Sequence, residues 1–172
     1  KATLASAISQ AGTNAMDTIL VKSGHTESIS SSQAFTNKAG LTVLGLGSGS
    51  TRPRFTCTGA VDLLAVSVTD VWLENLFFVT STGTPTSRIK VTAAGCTIKN
   101  CYFQCGTTDT TDTVLVTTGA TNCRVQDCYF ISTGTTALQP ARALRINAAV
   151  LGAVGTGNTF DGSTGGFSGN SF

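Results

Sequence analysis

Inward-type apolar residues recur along this chain at one fixed spacing, and five segments that carry it can be laid over one another. They run Leu41-x-Val43-x-x-Leu46, Val71-x-Leu73-x-x-Leu76-x-Phe78, Cys96-x-Ile98-x-x-Cys101-x-Phe103 and Cys123-x-Val125-x-x-Cys128-x-Phe130, with a degenerate fifth, Ala153-x-Gly155-x-x-Asn158-x-Phe160. Their first residues lie 30, 25, 27 and 30 positions apart. A period in this range marks a solenoid, in which each repeat buries its apolar face only by stacking on its neighbours. Seven residues before the aligned start stand Leu64, Ile89, Val116 and Ile146, followed two residues later by Val66, Val91, Thr118 and Ala148. Apolar positions at period two are the strand signature. Because the pattern runs in the same direction each time, a strand must pair with its equivalent one coil away, in parallel. The pattern predicts an all-β chain wound as a parallel β-helix of about five to six coils.

The two ends read differently. Over Thr3–Ala11, Leu4, Ala7, Ile8 and Ala11 fall on one helical face. A short N-terminal helix there would cap the open first coil, whose strand edges and core are otherwise exposed. Residues Asp17 to Gly24 then read as the first strand, with Ile19 and Val21 inward. The chain starts on Lys1 within a plausible element, which reads as a trimmed or processed start. Residues 1–162 form a single β-helix domain, and 163–172 form a Gly/Ser-rich tail without a strand pattern.

Three ladders follow from the overlay. Just before the third inward slot stand Gly45, Asn75, Asn100, Asp127 and Gly157, all from the small set that tolerates a left-handed backbone. This predicts a ladder of tight turns, with side-chain hydrogen bonds between the Asn and Asp residues. Phe78, Phe103, Phe130 and Phe160 are predicted to stack inside the core. Cys96 with Cys123, and Cys101 with Cys128, share slots that hold Val or Leu elsewhere and read as small buried hydrophobes. Strand spacing of about 4.8 Å does not forbid a disulfide, but parallel inward side chains would strain it. Cys57 and Cys105 fall outside the slots and are the better placed for cross-linking. Trp72, Phe77, Tyr102 and Tyr129 occupy outward-type positions, where they would form a stripe for a partner protein or a carbohydrate, or lie under a loop.

Composition narrows the chemistry. Only 12% of the 172 residues are charged and the net charge is +2, with Lys and Arg scattered. There is no basic patch interleaved with aromatics, which argues against nucleic-acid binding, and no apolar run of membrane-spanning length. The outward acidic pairs are Asp70 with Glu74, and Asp109 with Asp112 on a Thr-rich loop. No repeat stacks acids in outward slots, as a polysaccharide-cleaving site would need. The string Arg88-Ile89-Lys90 is met in polygalacturonase sites, but the Asn-Thr-Asp, Asp-Asp and Gly-His-Gly elements that accompany it there are missing. His25, the single histidine, follows Gly24 without a nucleophile or second histidine near it in sequence and reads as a turn residue. The cysteine spacing fits no metal site. Neither a cofactor, a metal nor a catalytic residue is expected.

The order of a short helix, then DTILVKSGHTESIS, then AGLTVLGLGSGSTRPRF, then coils ending in CYF resembles right-handed parallel β-helix proteins of the pectate-lyase-like type. More narrowly, Gly24-His25-Thr26-Glu27 and the stretch from Gly45-Leu46-Gly47 through Arg52-Pro53 resemble small β-helix proteins of tailed-bacteriophage virions. The resemblance covers nearly the whole chain. It implies a right-handed coil and a non-enzymatic virion component assembled in the host bacterial cytoplasm. It would be either a capsid decoration (cement) protein on the major capsid protein or a tail-spike or fibre segment binding host-surface carbohydrate. It would act as a homo-oligomer in either case. A polysaccharide lyase or hydrolase is the third expectation.

Overall fold

The structure is a computed structural model that describes residues 3–80, 87–105, 112–132, 142–147 and 150–161. Helix α1 (Leu4–Gln10) leads into coils of three strands each. The first coil holds β1 (Thr18–Val21), β2 (Thr26–Ile29) and β3 (Gln33–Ala34); the second β4 (Thr42–Gly45), β5 (Arg54–Cys57) and β6 (Leu64–Val66). The third holds β7 (Trp72–Glu74), β8 (Phe77–Thr80) and β9 (Ser87–Val91), and the fourth β10 (Thr97–Lys99), β11 (Tyr102–Cys105) and β12 (Asp112–Val116). The fifth holds β13 (Arg124–Gln126), β14 (Tyr129–Ser132) and β15 (Arg142–Ile146), and a last pair, β16 (Val154–Thr156) and β17 (Thr159–Asp161), follows. Equivalent strands stack into three sheets of six, six and five strands. The first sheet is β1-β4-β7-β10-β13-β16, the second is β2-β5-β8-β11-β14-β17, and the third is β3-β6-β9-β12-β15. Every pairing is parallel, so the chain is a β-solenoid. No helix among the described residues is long and apolar enough to cross a membrane.

The register explains why the sequence repeats. Val43, Leu73, Ile98, Val125 and Gly155 are successive partners in the first sheet, and Phe55, Phe78, Phe103, Phe130 and Phe160 in the second. The rings of Phe78, Phe103, Phe130 and Phe160 stack face to face with centroids 5.3, 4.8 and 5.2 Å apart. The first three are fully buried, and Phe160, in the last described strand, is partly buried. Offset stacking of this kind contributes about 0.5–1.5 kcal/mol per pair beyond the area it buries. Phe55 adds a fifth ring, 5.8 Å from Phe78.

Helix α1 covers the first coil with Leu4 and Ile8. Thr3 caps it by accepting the Ser6 N–H, and the Leu4 N–H donates to Glu27 Oε2 at 2.9 Å. Glu27 occupies the place in β2 that Phe55 holds in β5. A carboxylate replaces a ring here because its neighbour is a helix start with unpaired N–H groups rather than another ring.

The turn ladder is real in four of its five members. Asn75, Asn100, Asp127 and Gly157 have φ of 57, 49, 54 and 65°, in the left-handed region. Asn75 Nδ2 donates to Gly45 O and Gly47 O, both at 2.8 Å, and Asn100 Nδ2 reaches Asn75 Oδ1 at 3.5 Å. Gly45 departs from the expectation: it ends β4 with no positive φ. Its need for glycine is steric, since a Cβ there would lie 2.2 Å from the Asn75 carbonyl oxygen. The second coil carries an additional loop, 46–53, between its first two strands. Leu46 therefore points out at 42% exposure, and Pro53 rather than Leu46 lies alongside Leu76, its carbonyl accepting the Phe77 N–H.

The third sheet also corrects the overlay. Leu64 and Ile89 pair onward with Val114 and Leu144, and Val66 and Val91 with Val116 and Ile146. Val116 and Ile146 thus stand two residues further along than expected, because the fourth and fifth coils have longer turns into the next strand. The inward face survives because a two-residue slip preserves the side of the sheet.

Candidate functional site

Once the core has taken its Phe and Cys residues, chemistry is left to the outer faces. On the second sheet, Arg54, Phe77, Tyr102, Tyr129 and Thr159 are partners in successive coils and all face away from the Phe stack. Phe77 meets Tyr102 edge to face at 4.8 Å, and Tyr102 stacks on Tyr129 at 4.9 Å. The Arg54 guanidinium sits 5.4 Å over the Phe77 ring. Tyr129 donates its hydroxyl to Asp161 Oδ2 at 2.8 Å. That bond holds the Tyr129 phenol above its ordinary pKa, while burial first, then the Asp161 charge, pushes up Tyr102. Both phenols therefore remain hydrogen-bond donors through the neutral range. Half-buried aromatics in a row, with cations at one end and a carboxylate at the other, make this ridge the candidate functional site.

Trp72 does not belong to it. It lies on the first sheet between Thr42 and Thr97, is 37% exposed, and donates Nε1–H to Glu74 Oε2 at 2.8 Å. Beside the ridge, the loop after β4 forms a cleft of about 430 Å³ with Gly49, Ser50, Arg52, Phe77, Tyr102 and Gln104 on its walls. Arg52 and Arg54 were not singled out from the sequence. The Arg-Phe-Thr-Cys of β5 against the Tyr-Phe-Gln-Cys of β11 could have shown that Arg54 shares the row of Tyr102.

Most of the described carboxylates have structural partners. Asp17 Oδ2 accepts the Gly12 N–H, Asp62 Oδ1 accepts from the Ser87 backbone and hydroxyl, and Asp62 also pairs with Lys90 at 3.6 Å. Asp70 and Glu74 do not form a site: Asp70 is a left-handed corner residue whose carboxylate lies against Gly95, and Glu74 is engaged by Trp72. Asp112, 1% exposed, pairs with Arg142 at 2.5 Å and Arg145 at 3.5 Å, and Asp109 lies outside the described residues. In the Arg88-Ile89-Lys90 string, Arg88 is buried and donates to Gln104 O and Cys105 Sγ, and Ile89 is core. His25 Nε2 lies 3.1 Å from Glu27 Oε2, beside the helix that Glu27 caps, with its ring 5.7 Å from Phe55. Among the described residues, no three His, Cys, Asp or Glu side chains converge to hold a metal ion.

All six cysteines are buried free thiols. Cys57 and Cys105 are not outside the repeat: they share one slot of the second sheet, with Ile29, Thr80 and Ser132. Both are at zero exposure, which places them inside the coil rather than at a surface where another subunit could be bridged. The four ladder thiols donate to backbone carbonyls, Cys96 to Val68 O, Cys123 to Ala93 O, Cys101 to Lys99 O and Cys128 to Gln126 O. The interaction between neighbouring thiols raises Cys96 and lowers Cys123 to about 7; Cys101 is raised chiefly by burial, and its proximity lowers Cys128. With iodoacetamide under native conditions, the protein should take up essentially no label, and in denaturant six labels per chain by mass spectrometry. Fewer than six in denaturant without reductant would mean that bridges exist.

Comparison with family models, with curated proteins and with solved structures finds no match for this chain.

Proposed function

We propose that the chain is a non-enzymatic structural protein of tailed-bacteriophage virions, a decoration protein that docks on the outer surface of the head. The observation that carries the binding part of this reading is the ridge of Phe77, Tyr102 and Tyr129, flanked by Arg54 and Asp161. Tyr and Arg are the residue types that dominate binding energy at protein interfaces. The structural partners of most described carboxylates support a scaffold over a glycosidase, which needs two acids free to face a scissile bond. The virion assignment rests on the sequence resemblance. The six described layers span about 25 Å.

Immunogold electron microscopy of purified particles tests the reading. Label over the head surface is the expected result. Label at the tail tip would favour the spike reading, with host carbohydrate as ligand, and particles free of the protein would overturn the virion assignment. Turnover of acidic polysaccharide, lost in Asp70→Ala or Glu74→Ala, would replace the scaffold with an enzyme.

A further inference from the structure

The cleft beside the ridge has an electrostatic feature that the fold itself does not use. Arg52 and Arg54 both stand at Phe77, Arg52 in the cleft wall and Arg54 over the ring. Among the described residues neither has a carboxylate partner, whereas Lys90, Arg142 and Arg145 each do. Arg52 makes one hydrogen bond, Nη2 to Asn100 Oδ1 at 3.3 Å, and its Nε is buried with no acceptor in reach. Its Nη edge is the accessible part, and a guanidinium N–H pair is shaped to bind a carboxylate. The remaining walls are the Phe77 ring, the Tyr102 phenol, Gln104 and the small residues Gly49 and Ser50.

The rings say what kind of carboxylate fits. Tyr102 stacks on Tyr129 and lies nearly perpendicular to Phe77 (interplanar angles 16° and 80°), while Phe77 carries Arg54 over its ring. Little flat aromatic face is left for a sugar ring to lie on, whereas ring edges and a guanidinium pair suit an acidic side chain with apolar neighbours. An extended polyanion is disfavoured because Asp161 closes the far end of the same ridge, four strand spacings or roughly 19 Å from Arg54. We propose that this cleft receives an Asp or Glu side chain of a partner protein, whose chain then runs along Phe77, Tyr102 and Tyr129. The proposal rests on the reading of the ridge as a docking face.

The test uses the isolated full chain and a defined probe, so it is independent of where the protein sits in a particle. An acetylated, amidated Glu-Phe-Glu-Phe peptide is titrated while the Arg Nε–Hε and Tyr ring signals are followed by NMR. Its Gln-Phe-Gln-Phe counterpart and an oligogalacturonate serve as comparisons. The expected result is a saturable shift at Arg52 and Tyr102 with the Glu peptide, about tenfold weaker with the Gln peptide. Binding should weaken similarly in Arg52→Gln and in Arg54→Gln. Arg54 is exposed and its side chain makes only the ring contact among the described residues, so its variant should keep the native melting temperature. Equal binding of the two peptides, preference for oligogalacturonate at the same residues, or no saturable shift would each overturn the proposal. Peptide binding by a protein absent from particles would leave the cleft standing and remove the virion reading; head location without peptide binding would place the docking face elsewhere.

Discussion

Phe103→Ala should lower the unfolding free energy by about 3–5 kcal/mol, as large-to-small changes of a buried aromatic do. Phe103 is the middle ring of the stack, at zero exposure, with Phe78 at 5.3 Å on one side and Phe130 at 4.8 Å on the other. Removing it deletes two ring contacts and opens a void between coils that are fixed in register by hydrogen bonds on two sheets, so collapse around the gap is limited. Phe160→Ala should cost less, because that ring is only partly buried where Phe103 is at zero exposure. Denaturant titration of both variants against the parent measures the difference. A loss below about 1 kcal/mol for Phe103→Ala would contradict its core position.

Arg142→Met is the second change expected to be severe, at about 3–5 kcal/mol, because it strands a buried charge. Asp112 is 1% exposed and takes its shortest contact, 2.5 Å, from Arg142 Nε; Arg145 at 3.5 Å is half in solvent and compensates weakly. The two residues are direct partners across β12 and β15, so the pair ties the fourth coil to the fifth. The double variant Asp112→Asn with Arg142→Met should recover a large part of the loss, since replacing both members of a buried pair is far milder than removing one. Additive losses in that cycle would mean that the pair is not coupled.

Much of this architecture is legible in the chain because each slot of a parallel stack faces the same surroundings in every coil and selects the same kind of residue. The Phe and Cys ladders, the helical cap and the Asn75–Asn100–Asp127–Gly157 corner follow from that. The overlay slips where spacing stops being constant. Leu46 matched the third slot by its hydrophobicity, but the loop after β4 shifts the true partner to Pro53, and Gly45 is conserved in type with the corner residues for a different physical reason, the close approach of a carbonyl. A second corner, Gly40, Asp70, Gly95, Asn122 and Gly152, all at positive φ, went unread although each stands one residue before an aligned start. The ridge was only partly legible: Phe77, Tyr102 and Tyr129 share its row, but alternation alone places Trp72 outward without saying on which sheet. Arg52 was beyond reach, because a loop residue carries no period.

Two of the polar residues that break the apolar slots, Glu27 and Asn158, have a consequence for growth of the stack. At one end Glu27 stands where the other coils place a ring; at the other, Asn158 stands where they place Cys or Leu and spends its amide on Cys128 N and Val125 O. Parallel in-register sheets are otherwise templates for their own extension, since each terminal strand offers the next copy a ready set of partners. A further coil added from another molecule would have to lay an apolar slot against a carboxylate or an amide. Within the described stack, these two side chains bound the run of coils whose apolar slots can be continued in register.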